Sequence, residues 1–187
     1  IAQTGQYDLQ KAKALLKEAG FENGFAFTLD THNNRWVNDE NLCKALAGMW
    51  AKLNVKVNVH SMPRAQYFPK VLSFDTSAGL VGWGSSTFDA FYPLQSLSAT
   101  YDGTSGAGIS NIGRASDKQM DALLKKLNLA EDLNEREAIA RQALSLEQKR
   151  VLHIPLLQPM FSWAMKKNID PIVRPDNKLT LEWIVMH

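Results

Sequence analysis

The feature that most constrains this chain lies at residues 78–93. Ala78, Gly79, Leu80 and Val81 form a short apolar run without polar alternation, the pattern of a strand buried on both faces. The run breaks at Gly82-Trp83-Gly84 into a turn that carries an indole, the hydroxyls of Ser85, Ser86 and Thr87, and the carboxylate of Asp89. Aromatic and small residues then lead into a helix. A strand that ends in such a turn belongs to an open α/β sheet, where ligands sit at the strand's carboxyl end. Two readings stay open on spacing alone: Trp83 and Asp89 contact a ligand, or Trp83 fills core and Asp89 caps the helix that follows.

The rest of the chain alternates strands with helices. Asp8 caps a helix with Ala12, Leu15, Leu16 and Ala19 at helical spacing, and Gly20 stops it. Residues 25–31 alternate as a strand, and the polar loop His32-Asn33-Asn34-Arg35-Trp36 follows. Asn38 or Asp39 opens a long helix with Leu42, Leu46, Met49 and Leu53 on one stripe. Residues 55–60 form a second strand, and Pro63 starts a short helix through Tyr67 and Leu72 ahead of the central strand. Residues 99–115 are the longest irregular stretch. Ser116-Asp117-Lys118-Gln119 matches a capping box, with Met120, Leu123, Leu124 and Leu127 as its buried stripe, and Asn134-Glu135-Arg136-Glu137 repeats the signal for a helix to about Arg150. Residues 152–157 and 161–165 read as strands. Pro171 and Pro175 bracket an extended piece before a last alternating strand at 179–185. This order predicts an α/β lobe with a mostly parallel sheet flanked by helices, plus a carboxy-terminal extended tail.

Composition narrows the function. The 187 residues carry a net charge of +2, and no basic run exceeds two residues, as at Lys166-Lys167, which is no footprint for nucleic acid. Cys43 is the single cysteine, so an internal disulfide and a cysteine metal cluster are both excluded, and its helical context suggests a half-buried inert thiol. No apolar run approaches the ~20 residues of a membrane span. The chain begins at Ile1 without a signal segment, which reads as a processed piece.

Motifs for catalysis fall short. Residues 103–110 have the glycine and serine spacing of a phosphate-binding loop, but Ile109 stands where the lysine is needed. Gly84-Ser85-Ser86-Thr87-Phe88 begins like a nucleophile elbow and ends in Phe in place of Gly. His32, His60, His153 and His187 are far apart in sequence and form no helical metal pair. Asp39-Glu40 reads as first-turn acid that complements a helix dipole. No cofactor and no metal is expected.

Five pieces in order carry a resemblance. Residues 7–21, beginning Tyr7-Asp8-Leu9-Gln10-Lys11, look like the "Y-D-P-x-K-A-K-x-L-L-x-E-A-G-Y" stretch of the extracellular solute-binding proteins of family 5. Gly82-Trp83 with Asp89 resembles their Gly-Trp loop with its later acid. Asn111-Ile112-Gly113-Arg114 to Asp117, and Asp121 to Leu124, are similar to a further motif, and Ile154-Pro155-Leu156 to their "I-P-L" strand. The family comprises dipeptide-, oligopeptide- and nickel-binding receptors of ABC importers.

The resemblance implies a carboxy-terminal ligand-binding lobe at residues 1–167. Residues 168–187 would be a crossover tail belonging to an amino-terminal lobe. Trp83 would be an apolar wall of the site, with Ser85, Ser86, Thr87 and Asp89 at its edge and Asn33 and Arg35 adding donors. Many peptide-binding members have an acid three positions after the tryptophan; here that position is Ser86. The implied role is a non-enzymatic, periplasmic or extracellular membrane-associated component that binds a peptide or similar small polar solute and serves an ABC permease in the membrane. The tail, left with an unpaired strand, is expected to project and self-associate with a second copy. The alternatives are a serine hydrolase-like domain using Ser85 or Ser86 with His60 or His153, and an interaction domain outside transport.

Overall fold

The computed structural model describes residues 7–84, 89–158, 162–173 and 179–187. Helix α1 (Leu9–Glu18) starts where Asp8 accepts the Lys11 N–H at 2.8 Å and ends before Gly20, whose φ of +83° suits glycine. Its apolar stripe is only half used: Ala12 and Leu16 are partly covered, and Leu15 faces outward.

Three parallel strands follow. Central β1 (Ala26–His32) pairs along its whole length with β2 (Lys56–Met62), and on its other side with the short β3 (Ala78–Gly79). The expected central strand at 78–81 is therefore a two-residue edge strand among the described residues, and β1 takes the middle. The parallel expectation itself holds.

Helices α2 (Asp39–Ala51) and α3 (Arg64–Leu72) cover opposite faces of this sheet. Phe27 and Leu29 of β1 pack with Cys43 and Trp50 of α2. Asp30 and His32, one residue out of phase, meet Lys70 and Tyr67 of α3. The covered stripe of α2 runs through Cys43, which is fully buried and not half-buried as expected, while Met49 is 59% exposed. The chain passes from β1 to β2 over one face and returns across β1 to β3 over the other. The winding thus reverses between β1 and β3, which places a crevice at their carboxyl ends.

A second core belongs to the helices. Leu94 of α4 (Phe91–Ser98), Met120, Leu124 and Leu127 of α5 (Lys118–Leu129), and Ile139, Ala143 and Leu146 of α6 (Leu133–Arg150) enclose it. The caps differ from the sequence expectation. Asp117, not Ser116, accepts the Gln119 and Met120 N–H groups, and Asp132, two residues early, caps α6. Ser116 lies one residue before the cap position and Asn134 already inside α6, whereas each aspartate stands directly before its helix, where a carboxylate meets the free N–H groups. The irregular stretch 99–115 is pinned by buried Asn111, which donates to the Ala99 and Ala115 carbonyls and accepts from the Ala115 N–H. Within it, Asp102 accepts from Thr104 N–H and Ser105 Oγ, so the loop's own carboxylate fills the place an anion would need.

Beyond α6 the expected strands at 152–157 and 161–165 are not formed in their described parts, where Ile154, Leu157 and Met165 are exposed. A strand needs a neighbour for its backbone groups, and no described segment offers one there. β5 (Leu179–Met186) confirms the last strand, with a correction. It pairs antiparallel with β4 (Ile169–Val173), so it is not left unpaired, and the hairpin is a sheet separate from the parallel one. Pro171 sits inside β4, as an edge strand tolerates. No helix among the described residues is long and apolar enough to cross a membrane.

Candidate ligand-binding site

The loops that leave β1 and β3 meet at the crevice. The Leu80 N–H bonds to the Asp30 carbonyl at 3.0 Å, which keeps the chain beside β1 after β3 ends. Tyr67 of α3 donates its hydroxyl to the Leu80 carbonyl at 2.8 Å. The Trp36 indole lies directly on Gly82, and any Cβ there would run into its ring. Gly82 therefore serves close approach of a ring to backbone. Trp36 was legible only as a loop residue; an aromatic three residues before α2 and a glycine at a strand end give no pairing signal in sequence.

The expected site residues are distributed as follows. Trp83 is 37% exposed and lies 5.4 Å from Tyr92 of α4, ring to ring, so it presents one flank outward and is not core. The Arg35 guanidinium carbon stands 4.3 Å from the Trp36 ring centre and 5.1 Å from that of Phe68. Arg35 has no carboxylate partner among the described residues; partial burial and the like charge of Arg64 pull its pKa down, against the pull of Tyr67. Asn33 is exposed, and its N–H is tied to the Met62 carbonyl at 3.1 Å. Ser85, Ser86 and Thr87 lie outside the described residues.

Asp89 points to the helices. It accepts the Phe91 N–H at 2.7 Å at the start of α4 and the Arg136 guanidinium at 2.6 Å. Arg136 also donates to the Leu127 and Ala130 carbonyls, each at 2.8 Å, so the pair braces α4 against the α5–α6 turn. The capping reading of Asp89 matches this geometry.

Two acid–imidazole pairs in the sheet were not foreseen. His32, at the carboxyl end of β1, is fully buried, with Nδ1 2.5 Å from Asp39 Oδ2. Burial pushes the Asp39 carboxyl up, but His32 and the Trp36 and Arg35 N–H groups outweigh it and leave its pKa lowered. What reads in sequence as a first-turn acid is thus a buried partner. Lower on the same face, buried Asp30 accepts from His60 Nδ1 at 2.9 Å, Lys70 at 3.1 Å and Thr76 at 2.7 Å. Burial again works upward and the three donors, Thr76 first, bring the pKa down. This cluster lines an open cleft of about 500 Å³ with Thr28, Phe74 and Ser77.

The histidines named for the hydrolase alternative are both held by acids, His60 by Asp30 and His153 by Glu147 at 2.7 Å. The serines it needs are outside the described residues. Among the described residues no group of three or more His, Cys, Asp or Glu is placed to hold a metal ion.

A crevice at the reversal of a small parallel sheet, with the partly exposed Trp83 indole nearby and an Arg35 guanidinium that has no carboxylate partner among the described residues, is the place where α/β folds take ligands. The family comparison agrees: residues 1–105 match bacterial extracellular solute-binding proteins, family 5 Middle, and the chain belongs to that family. It is 30% identical over 159 residues to heme-binding protein A of Haemophilus influenzae, covering 80% of this chain and 27% of that protein. It is 24% identical over 177 residues to the dipeptide-binding protein of Escherichia coli K12, covering 89% and 32%. Among solved structures, the periplasmic binding protein DppA from Helicobacter pylori in complex with the peptide STSA is 26% identical with a TM-score of 0.73, over 81% of this chain and 29% of that one. A dipeptide-binding protein from Pseudoalteromonas sp. SM9913 in complex with Met-Leu shares the fold with a TM-score of 0.82 at 21% identity, over 97% and 36%. The chain thus spans well under half the length of these relatives.

Proposed function

We propose that this lobe is part of the substrate-binding component of an ABC-type importer. It binds a peptide or similar small polar solute outside the cytoplasmic membrane and hands it to the permease without chemical change. The observation that supports this reading is the crevice between β1 and β3, with Trp83 partly exposed after β3 and, in the loop after β1, an Arg35 that has no carboxylate partner among the described residues. Trp83 supplies an apolar wall worth on the order of 1–3 kcal/mol when desolvated. Arg35, already seated on Trp36 and Phe68, is oriented to receive an acidic group of the solute. Asn33 offers an amide at the same rim, and Ser85, Ser86 and Thr87, which follow Trp83 in sequence, are assigned to the edge on the family resemblance alone.

The test is calorimetric titration of the complete gene product with a dipeptide panel. Trp83→Ala is expected to weaken binding roughly ten-fold or more, with the melting temperature nearly unchanged. A large fall in melting temperature with unchanged affinity would instead make Trp83 a packing residue.

Residues 168–187 are assigned, on the same reading, to a crossover toward another lobe. Leu181 and Met186 of the hairpin are exposed, and each strand keeps one edge without a described partner. In the 187-residue chain these edges favour association with a second copy. Light scattering is expected to show dimers at high concentration; a strict monomer with slow amide exchange throughout 179–185 argues that the hairpin is capped within its own chain.

A further inference from the structure

His32 Nε2 is the one buried side-chain nitrogen or oxygen without a hydrogen-bond partner among the described residues. Leaving such a group unsatisfied is costly, so its retention beside the crevice between β1 and β3 needs a reason. Its chemistry follows from its partner. Asp39 is held as a carboxylate by the His32 ring and by the Trp36, Arg35 and Glu40 N–H groups, and a carboxylate only accepts. The proton between the two therefore sits on Nδ1, and a neutral ring then presents a lone pair at Nε2.

Three rings surround this imidazole. Trp36 lies 4.8 Å away and Tyr67 5.0 Å, both edge to face, with Phe68 at 6.3 Å. Tyr67 is locked, because it is 1% exposed and its hydroxyl is spent on Leu80. Trp36 is only half-buried, sits in the loop after β1, and rests on the bare backbone of Gly82. It is the ring that can turn aside, and doing so opens the crevice onto His32.

We infer that His32 Nε2 is a latent hydrogen-bond acceptor of this site, screened by Trp36, which an N–H donor on the solute takes when the indole swings away. The inference rests on the binding reading above and adds a selectivity: an ammonium or amide N–H is accepted at this point and a carboxylate oxygen is refused. Asp39 acts through the ring as a positioning residue that fixes the tautomer.

The experiments use no natural solute, so they fail independently of the binding reading. Nitrogen-15 NMR of the intact 187-residue chain at pH 8 is expected to show the Nδ1–H tautomer of His32; an Nε2–H tautomer overturns the proposal. In Trp36→Ala, pyrrole (an N–H donor) is expected to bind roughly ten-fold tighter than furan and to shift the His32 Nε2 resonance. Equal affinities, or no shift, overturn it. Where that variant does not fold, diethyl pyrocarbonate on the intact chain decides. Modification of His32 in native buffer at a rate insensitive to low urea supports local opening by Trp36, and modification only in step with global unfolding refutes it.

Discussion

At the scale of single residues, the acids in this chain do more structural work than their exposure in sequence suggests. Asp89, Asp39 and Asp30 each gather two or more donors from separate elements. Arg136 is the counterpart on the basic side, shared between Asp89 and two carbonyls at the end of α5. Arg136→Ala leaves all three acceptors short of a donor in a partly buried place. It is expected to lower unfolding free energy by about 2–3 kcal/mol in denaturant titration, while Arg136→Lys recovers part of that. Apart from the Asp89 cap on α4, none of these partnerships was legible beforehand. Asp89 and Arg136 are 47 positions apart, and Asp30 and Lys70 are 40 apart, so only the folded chain brings them together. Asp8, by contrast, was readable because its partner is three residues on.

At the scale of elements, what sequence periodicity conveys is the type of element, and what it misses is who pairs with whom. Strands β1 and β2 and the six helices among the described residues follow local patterns that are strong enough to survive folding. The apolar run at 78–81 looked central because apolar content reports burial, and burial here comes from Cys43 of α2 against Leu80 and from Tyr67 and Val71 of α3 against Gly79 as much as from strand neighbours. Residues 152–157 show the converse: an alternating pattern with no partner forms no strand. The Gly82 contact belongs to this scale, since it joins the exits of β1 and β3. Gly82→Ala forces the Trp36 ring to move and is expected to destabilise the chain by about 1–3 kcal/mol. Gly82→Ala with Trp36→Leu should regain most of the loss in thermal melts, because the smaller side chain clears the new methyl group; no recovery would place the strain elsewhere.

At the scale of the molecule, the lowered carboxyl pKa values of Asp30, Asp39 and Asp89 act together on stability. A group lowered in the folded state contributes above its unfolded pKa, near 3.9, and loses that contribution as pH falls through the folded value. The melting temperature should therefore be level from about pH 5 upward and drop steeply below about pH 4. Asp30→Asn is expected to flatten part of that drop; an acid limb unchanged in the variant would remove Asp30 from the account. The class of fold, and the glycine-rich turn that leaves β3, were legible from sequence because they depend on order along the chain. The His32–Asp39 floor and the Trp36 cover were not, because they depend on which faces the crossovers bring together.

The separation of the two cores also bears on how the chain reaches its native state. Contacts between α5 and α6 join neighbours in sequence, whereas Asp30 must find His60, thirty residues on, and Gly79 beyond it, and Asp89 must find Arg136, 47 positions on. Each longer loop has more entropy to lose before its contacts form, so the α5–α6 pair is the natural early unit, and the parallel sheet and α4 join later. The crevice, made where β3 joins β1, is then completed late. A partly folded chain would hold a finished helical pair while the proposed solute site did not yet exist.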